Sequence, residues 1–74
     1  MTRLTLYSRA GCHLCEVAAQ TLTRMGEPFE EIDISGDREL EAEYGDRIPV
    51  IMLDGKEHGY WRVEEDRLRR ALSG

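Results

Sequence analysis

Cys12 and Cys15 are the pair of residues whose type and spacing are best suited to chemistry in this sequence, and they are its two cysteines. Side chains three positions apart on a helix share one face and lie about 4.5 Å apart along its axis, which is compatible with the geometry that a disulfide requires. The pair can therefore be oxidised and reduced without rebuilding the surrounding fold.

A structural disulfide and a metal site are two other roles for this spacing. Loop closure contributes about 3 kcal/mol for a loop of about 15 residues and less for a shorter one, so a bridge across so short a loop stabilises little. Structural zinc usually takes four ligands, commonly two cysteine pairs or one pair with two closely spaced histidines, whereas His13 and His58 lie far apart in this chain. The spacing favours a redox dithiol and predicts no metal ligands; a metal or iron–sulfur carrier using the same thiols is the alternative.

The length and charge of the chain exclude several classes of protein. Its 74 residues predict a single domain, residues 1–74, because a chain near this size buries only about 60% of its unfolded surface. The formal net charge of -5 opposes binding to nucleic acid or to an anionic membrane surface. There is no long apolar run and no apolar signal-peptide core, so we expect a cytoplasmic protein, in which a lone cysteine pair usually turns over rather than staying bridged.

Residues 3–8 alternate with the period of a strand, and the apolar residues after Cys12 are spaced three and four apart, as in a helix. Residues 48–53 are a continuously apolar run with a proline near its start, which is typical of a buried strand. Asp54-Gly55 between the last two strands is typical of a two-residue hairpin. Gly26 and Gly45 are expected to end the first two helices. The predicted strands are 3–8, 29–34, 48–53 and 56–60, and the predicted helices are 12–25, a segment capped by Ser35 or Asp37 that runs to 44, and 63 to near Ser73-Gly74.

This order, β-α-β-α-β-β-α, predicts an α/β fold in which three helices flank a four-stranded mixed sheet. The first strand, helix and second strand form a crossover unit, so these two strands should be parallel and their connection right-handed. Cys12 then lies where the first helix begins, at the carboxyl end of the first strand.

A thiol at the start of a helix is well placed to act as a nucleophile. The attacking species is the thiolate, and unpaired backbone N–H groups with the positive end of the helix dipole bring such thiols to pKa values of roughly 3.5 to 7.5. This predicts Cys12 as the nucleophile and Cys15, one turn further on, as the thiol that resolves the mixed disulfide. His13 is a candidate for stabilising the thiolate when protonated, with a solvated first-turn residue as the alternative. The carboxylate of Glu16 would instead disfavour the thiolate, and the alternative role for this first-turn acid is to stabilise the helix.

Three short motifs lie in a characteristic order along the chain. They are Tyr7-Ser8-Arg9-Ala10-Gly11-Cys12-His13-Leu14-Cys15, then Ile48-Pro49, then Asp54-Gly55 followed by Gly59. Together they resemble a small glutaredoxin-like member of the thioredoxin superfamily, over essentially the whole chain. The resemblance implies a minimal thioredoxin fold, with Cys12 as nucleophile, Cys15 as resolving thiol and a cis-proline loop at Pro49 that faces them. A cis bond there would turn the Ile48 backbone toward the cysteines, where an extended substrate segment can pair with it.

The resemblance also implies an activity, partners and further site residues. Such a protein reduces protein disulfides or glutathione mixed disulfides as a monomer, and takes its electrons from glutathione or from a reductase of the thioredoxin-reductase type. It holds no bound cofactor, and glutathione is a candidate co-substrate. Arg9 matches the position of a lysine common in glutaredoxins and is expected to hold a glutathione carboxylate or to favour the thiolate, and Arg47 is a second candidate. A thioredoxin-fold adaptor without redox chemistry is a further alternative.

Three other residues are assigned structural roles by the sequence. Glu41, like the other acids of the second helix, is expected to lie on a solvated face. His58 is expected to be exposed in the hairpin. Trp61 is expected to fill space beneath the last helix, and flanking the site is its alternative role.

Overall fold

The computed structural model describes residues 2–73 and has the predicted elements in the predicted order. The α/β fold expected from the sequence is therefore confirmed. Gly74, predicted together with Ser73 to end the last helix, lies outside the described residues. The strands are β1 (Leu4–Ser8), β2 (Phe29–Asp33), β3 (Val50–Leu53) and β4 (Lys56–Tyr60), and the helices are α1 (His13–Met25), α2 (Arg38–Tyr44) and α3 (Glu65–Ser73).

The four strands form one mixed sheet in the order β2-β1-β3-β4. β1 and β2 are parallel and are joined through α1, whereas β3 is antiparallel to both β1 and β4. Asp54 and Gly55 make the hairpin turn with φ values of 53° and 81°. Two positive φ values are those of a type I′ turn, which matches the twist of the strands it joins. Of the helices described within residues 2–73, none is long and apolar enough to cross a membrane.

Both faces of the sheet are covered by helices, as the pattern of apolar residues predicts. On one face, α1 and α3 pack against β1 and β3 in a core whose buried members are Leu4, Leu6, Ala18, Leu22, Ile51 and Leu68. On the other face, Tyr44 of α2 stacks on Tyr7 of β1, with ring centroids 4.7 Å apart and planes at 16°. Side chains of β1 therefore pack on both faces of the sheet: its even-numbered residues face α1 and its odd-numbered residues face α2.

The region after Pro49 differs from the sequence prediction. β3 begins at Val50 rather than at 48, because proline has no N–H to give to a neighbouring strand. The carbonyl of Pro49 instead accepts a hydrogen bond from the backbone N–H of Trp61 at 2.8 Å. The prediction that Trp61 fills space beneath α3 is wrong: its backbone turns at a φ of 71°, and the residue is 55% exposed with its ring edge-on to Tyr60.

His58 is half-buried, so the expectation that it is exposed is wrong. It is the extra residue of a β-bulge, since Ile51 pairs with Gly59 while Met52 pairs with Glu57. Its Nε2 atom is buried and has no hydrogen-bond partner among residues 2–73. Burial, and to a smaller extent the charge of Arg67, lowers the pKa of this imidazole from its usual 6.5.

The lowered pKa of His58 predicts a loss of stability toward acid pH. The unfolded chain takes up a proton as the pH falls through about 6.5, whereas the folded chain does so only at lower pH, so protonation favours unfolding. In urea titrations, the free energy of unfolding should fall more between about pH 7.5 and pH 5.5 for the native protein than for His58→Gln, which does not titrate there. Equal losses in the two proteins would contradict this assignment.

Candidate active site

Cys12 is the N-cap residue of α1. Its backbone is extended, with φ -92° and ψ 111°, and its Sγ atom accepts a hydrogen bond from the backbone N–H of Cys15 at 3.3 Å. An N-cap is usually a Ser, Thr, Asp or Asn oxygen, and here a sulfur takes that place. The N–H groups of the first turn and the positive end of the helix dipole favour negative charge on this sulfur. Cys12 is also partly exposed, so an external molecule can reach it.

Cys15 is one turn inside α1 and is only 2% exposed. Both cysteines are free, and the thiol of Cys15 donates a hydrogen bond to Sγ of Cys12, with the two sulfur atoms 2.6 Å apart. Burial first, and then this hydrogen bond, raise the pKa of Cys15 to about 11. At neutral pH the inner thiol therefore keeps its proton.

Both cysteines line a cleft of about 370 Å³. Its charged lining consists of one arginine, Arg9, which precedes α1, and three carboxylates: Glu16 on α1, with Glu31 and Asp33 on β2. The parallel pairing of β1 and β2 explains why Glu31 and Asp33 line the cleft. They lie opposite Leu6 and Ser8, on the face of the sheet that α1 covers. The sequence analysis did not identify Glu31 or Asp33. The signal that could have identified them is that Glu31 and Asp33 alternate with Ile32. In a parallel pair with β1, this alternation places the two acids on the same face as Leu6 and Ser8.

The β2 carboxylates are held in place by hydrogen bonds. The hydroxyl of the buried Ser8 donates to Oε2 of Glu31 at 2.9 Å. Oδ1 of Asp33 accepts from the backbone N–H of Ser35 at 2.8 Å, and this bond is the main cause that lowers the pKa of Asp33 below its usual 3.8. Asp33 is therefore ionised at neutral pH, and the hydrogen bond from Ser8 fixes the orientation of the Glu31 carboxylate.

Arg9, the candidate for holding a glutathione carboxylate or favouring the thiolate, lines the cleft, and a carboxylate of the chain itself binds its guanidinium. It forms an ion pair with Glu41 of α2, whose side chain, expected to lie on a solvated face, is 40% exposed and also binds Arg9. A contact between residues 32 positions apart in sequence has no local signal.

Arg47 does not line the cleft. Its Nη1 donates to both carboxylate oxygens of Glu57 at 3.0 and 3.1 Å, and its Nη2 donates to the carbonyl of Glu43. The guanidinium also lies 5.6 Å from the centre of the Tyr44 ring, within the range of a cation–π contact. Arg47 thus ties the end of α2 to β4.

The other predicted site residues are His13, at the start of α1, and Ile48 and Pro49, in the loop between α2 and β3. His13 opens α1, with its side chain 85% exposed and its Nδ1 4.0 Å from a carboxylate oxygen of Glu16. The Ile48–Pro49 peptide bond is cis, as the family resemblance implies, and Pro49 is buried. Among the residues that the structure describes, His13, Ile48 and Pro49 are absent from the lining of the cleft.

A search of residues 2–73 for groups of three or more His, Cys, Asp and Glu side chains arranged to hold a metal ion finds none. The nucleophilic groups of this cleft are the partly exposed thiol of Cys12 and the buried thiol of Cys15.

Comparison with known proteins agrees with this fold. A family described as glutaredoxin-like domain (DUF836) matches residues 3–73. An uncharacterised Mycobacterium tuberculosis protein, Rv0508, is 42% identical over 80 residues, covering 96% of this chain and 82% of its own. The X-ray structure of protein XcR50 from X. campestris is 39% identical, with a TM-score of 0.81 and 95% of each chain covered. Glutaredoxin C1 from Populus tremula x tremuloides, solved in a holo form, shares the fold at 21% identity, with a TM-score of 0.71, 97% of this chain and 73% of its own covered.

The raised pKa of Cys15 predicts that the reduced protein loses stability at alkaline pH. Above about 9 the thiol of the unfolded chain ionises while that of the folded chain stays protonated until about 11, so stability falls as the pH rises through this interval. Urea titrations under reducing conditions should show a larger loss for the native protein than for Cys15→Ser, whose hydroxyl does not titrate. Cys12→Ser is the matched control and should still show most of the loss; an equal loss in Cys15→Ser would refute the assignment.

Proposed function

This chain belongs to the family of glutaredoxin-like domains, and on that basis we propose that it is a thiol–disulfide oxidoreductase that works through Cys12 and Cys15. A glutaredoxin-like thioredoxin fold supports a redox-type function. The observation that carries the specific dithiol reaction is the pair of sulfur contacts at the start of α1: a backbone N–H directed at Cys12, and the Cys15 sulfur 2.6 Å from it.

In the first step the thiolate of Cys12 attacks one sulfur of a substrate disulfide. The substrate S–S bond breaks, a new bond joins Cys12 to that sulfur, and the second substrate sulfur leaves as a thiolate that takes a proton from water. The partial exposure of Cys12 and the N–H of Cys15 support this role, because the attacking sulfur needs both access and stabilisation of its charge.

In the second step Cys15 resolves the mixed disulfide. Its thiol loses its proton and attacks Sγ of Cys12, the remaining substrate sulfur leaves as a thiolate, and the substrate has then gained two electrons while the protein holds a Cys12–Cys15 disulfide. Besides burial, which is the largest cause, the hydrogen bond and the charge of Cys12 raise the pKa of Cys15 in the resting protein. Both influences weaken once Cys12 is covalently bound to substrate, so Cys15 ionises more readily when its attack is needed.

The cycle is completed when glutathione or a reductase of the thioredoxin-reductase type reduces the internal disulfide. In this proposal glutathione is a co-substrate and not a resident cofactor, and the substrates are protein disulfides or glutathione mixed disulfides. The protein works as a monomer in the cytoplasm, without nucleic-acid or membrane partners, which agrees with its net charge of -5.

Single cysteine variants test the proposed order of steps. Cys12→Ser should bring disulfide reduction to the uncatalysed background, because no nucleophile reaches the substrate. Mixed with a disulfide substrate in the absence of glutathione or another free thiol, Cys15→Ser should still perform the first step and accumulate a covalent adduct at Cys12, visible by intact-protein mass spectrometry. Hydroxyethyl disulfide and insulin are suitable substrates, with glutathione or thioredoxin reductase as electron source.

Inactivity of the native protein with both electron sources would argue against the proposal. So would full activity of Cys12→Ser, or an adduct formed at Cys15 rather than at Cys12.

A further inference from the structure

We propose that the cleft beside the dithiol selects positively charged disulfides, so that the preferred substrate is a polypeptide disulfide flanked by Lys or Arg rather than an anionic glutathione mixed disulfide. This inference rests on the proposed function and specifies its substrate class. It follows from where the charges lie around the two sulfur atoms and from which of them are already paired.

The negative charge in the cleft lies next to the reacting atoms. Glu16, Glu31 and Asp33 line the same cleft as the two cysteines, so a disulfide that enters this cleft to reach Cys12 lies close to these carboxylates. The hydrogen bonds from Ser8 and Ser35 hold two of the three in fixed orientations on β2. Glu31 and Asp33 are therefore oriented by hydrogen bonds on an exposed part of β2.

The positive charges expected to receive an anionic substrate are engaged elsewhere. Arg9 is the one cation in the lining of the cleft, and its guanidinium is bound by Glu41. Arg47 is bound by both oxygens of Glu57 and lies outside the cleft. The ion pairs with Glu41 and Glu57 reduce the positive charge that these two arginines offer to a substrate. Besides the hydrogen bonds from Ser35, which are the main cause, the charge of Arg9 still lowers the pKa of Asp33. In the lining of the cleft, three carboxylates therefore outnumber one paired arginine. Glutathione is anionic, so its carboxylates would meet like charge there, whereas a lysine or arginine side chain would meet opposite charge.

The size and salt dependence of the effect follow from screened electrostatics. Charge-steered association typically changes encounter rates by about 10-fold to 1000-fold at low ionic strength. The Debye length shortens from about 30 Å at 0.01 M salt to about 3 Å at 1 M, so the preference should largely disappear at high salt. The net charge of -5 acts in the same direction at longer range.

Two peptide disulfides that differ only in whether Lys or Glu flanks the cysteines test this preference. The reduced protein is mixed with each peptide in stoichiometric amounts, so that the Cys12–Cys15 dithiol supplies the two electrons and no other reductant is needed. Each rate constant is divided by the rate constant of the same peptide with dithiothreitol, which removes differences in intrinsic reactivity. The Lys peptide should react at least about 10-fold faster at low salt, and the ratio should approach one at high salt.

Charge-neutral variants locate the preference. Glu31→Gln combined with Asp33→Asn keeps the size of both side chains and an oxygen for the hydrogen bonds, and it should lower the Lys-to-Glu ratio several-fold. Glu30→Gln is the matched control: it is exposed on the same strand, and its side chain projects from the opposite face of the sheet. This variant should leave the ratio close to that of the native protein. Circular dichroism checks that each variant is folded, and the two peptides with the native protein decide the question even if the double variant is not.

The outcomes separate the two proposals. If neither peptide is reduced, the proposed function fails and this inference fails with it. If both peptides are reduced at equal normalised rates, or the Glu peptide is faster, the charge preference is overturned while the dithiol function stands. A Lys preference that persists equally in the double variant would also overturn the assignment to Glu31 and Asp33.

Discussion

The hydrogen bond from the backbone N–H of Cys15 to Sγ of Cys12 is the interaction on which the candidate site depends. It exists because α1 begins at this point, and α1 begins there because β1 ends at Ser8 and Gly11, at a φ of 79°, turns the chain back over the sheet. The helix is then held in place by its buried Ala18 and Leu22 in the core. The position of the reactive sulfur is therefore set by the packing of residues one to three turns away.

The charged side chains around the site serve mainly to hold elements together. Arg9 joins the segment before α1 to α2 through Glu41, and Arg47 joins the end of α2 to β4 through Glu57. Exposed ion pairs of this kind contribute little stability each, but they determine which charges remain free. In the cleft beside the dithiol, three carboxylates outnumber the one arginine, which is itself paired with Glu41.

Much of the architecture is predictable because its causes are local. The alternation of Leu4 and Leu6, the helical spacing after Cys12 and the Asp54-Gly55 turn are each properties of a few consecutive residues, and each element they predict is present. The same argument explains why the predicted exposures of Trp61 and His58 are wrong. The exposure of Trp61 depends on a backbone hydrogen bond to Pro49, and that of His58 on a β-bulge opposite β3. Neither feature can be predicted from the residues next to it in sequence.

The sequence by itself determined the order of the elements and the placement of a cysteine pair at the start of a helix. Hydrophobic periodicity, capping and turn residues act within a few positions of the chain. Only the tertiary structure decided which charges face the sulfur atoms. Ser8 meets Glu31 across 23 positions and Arg9 meets Glu41 across 32. Such contacts arise from strand register and helix packing, because these bring together side chains whose chemistry is visible in the sequence but whose partners are not.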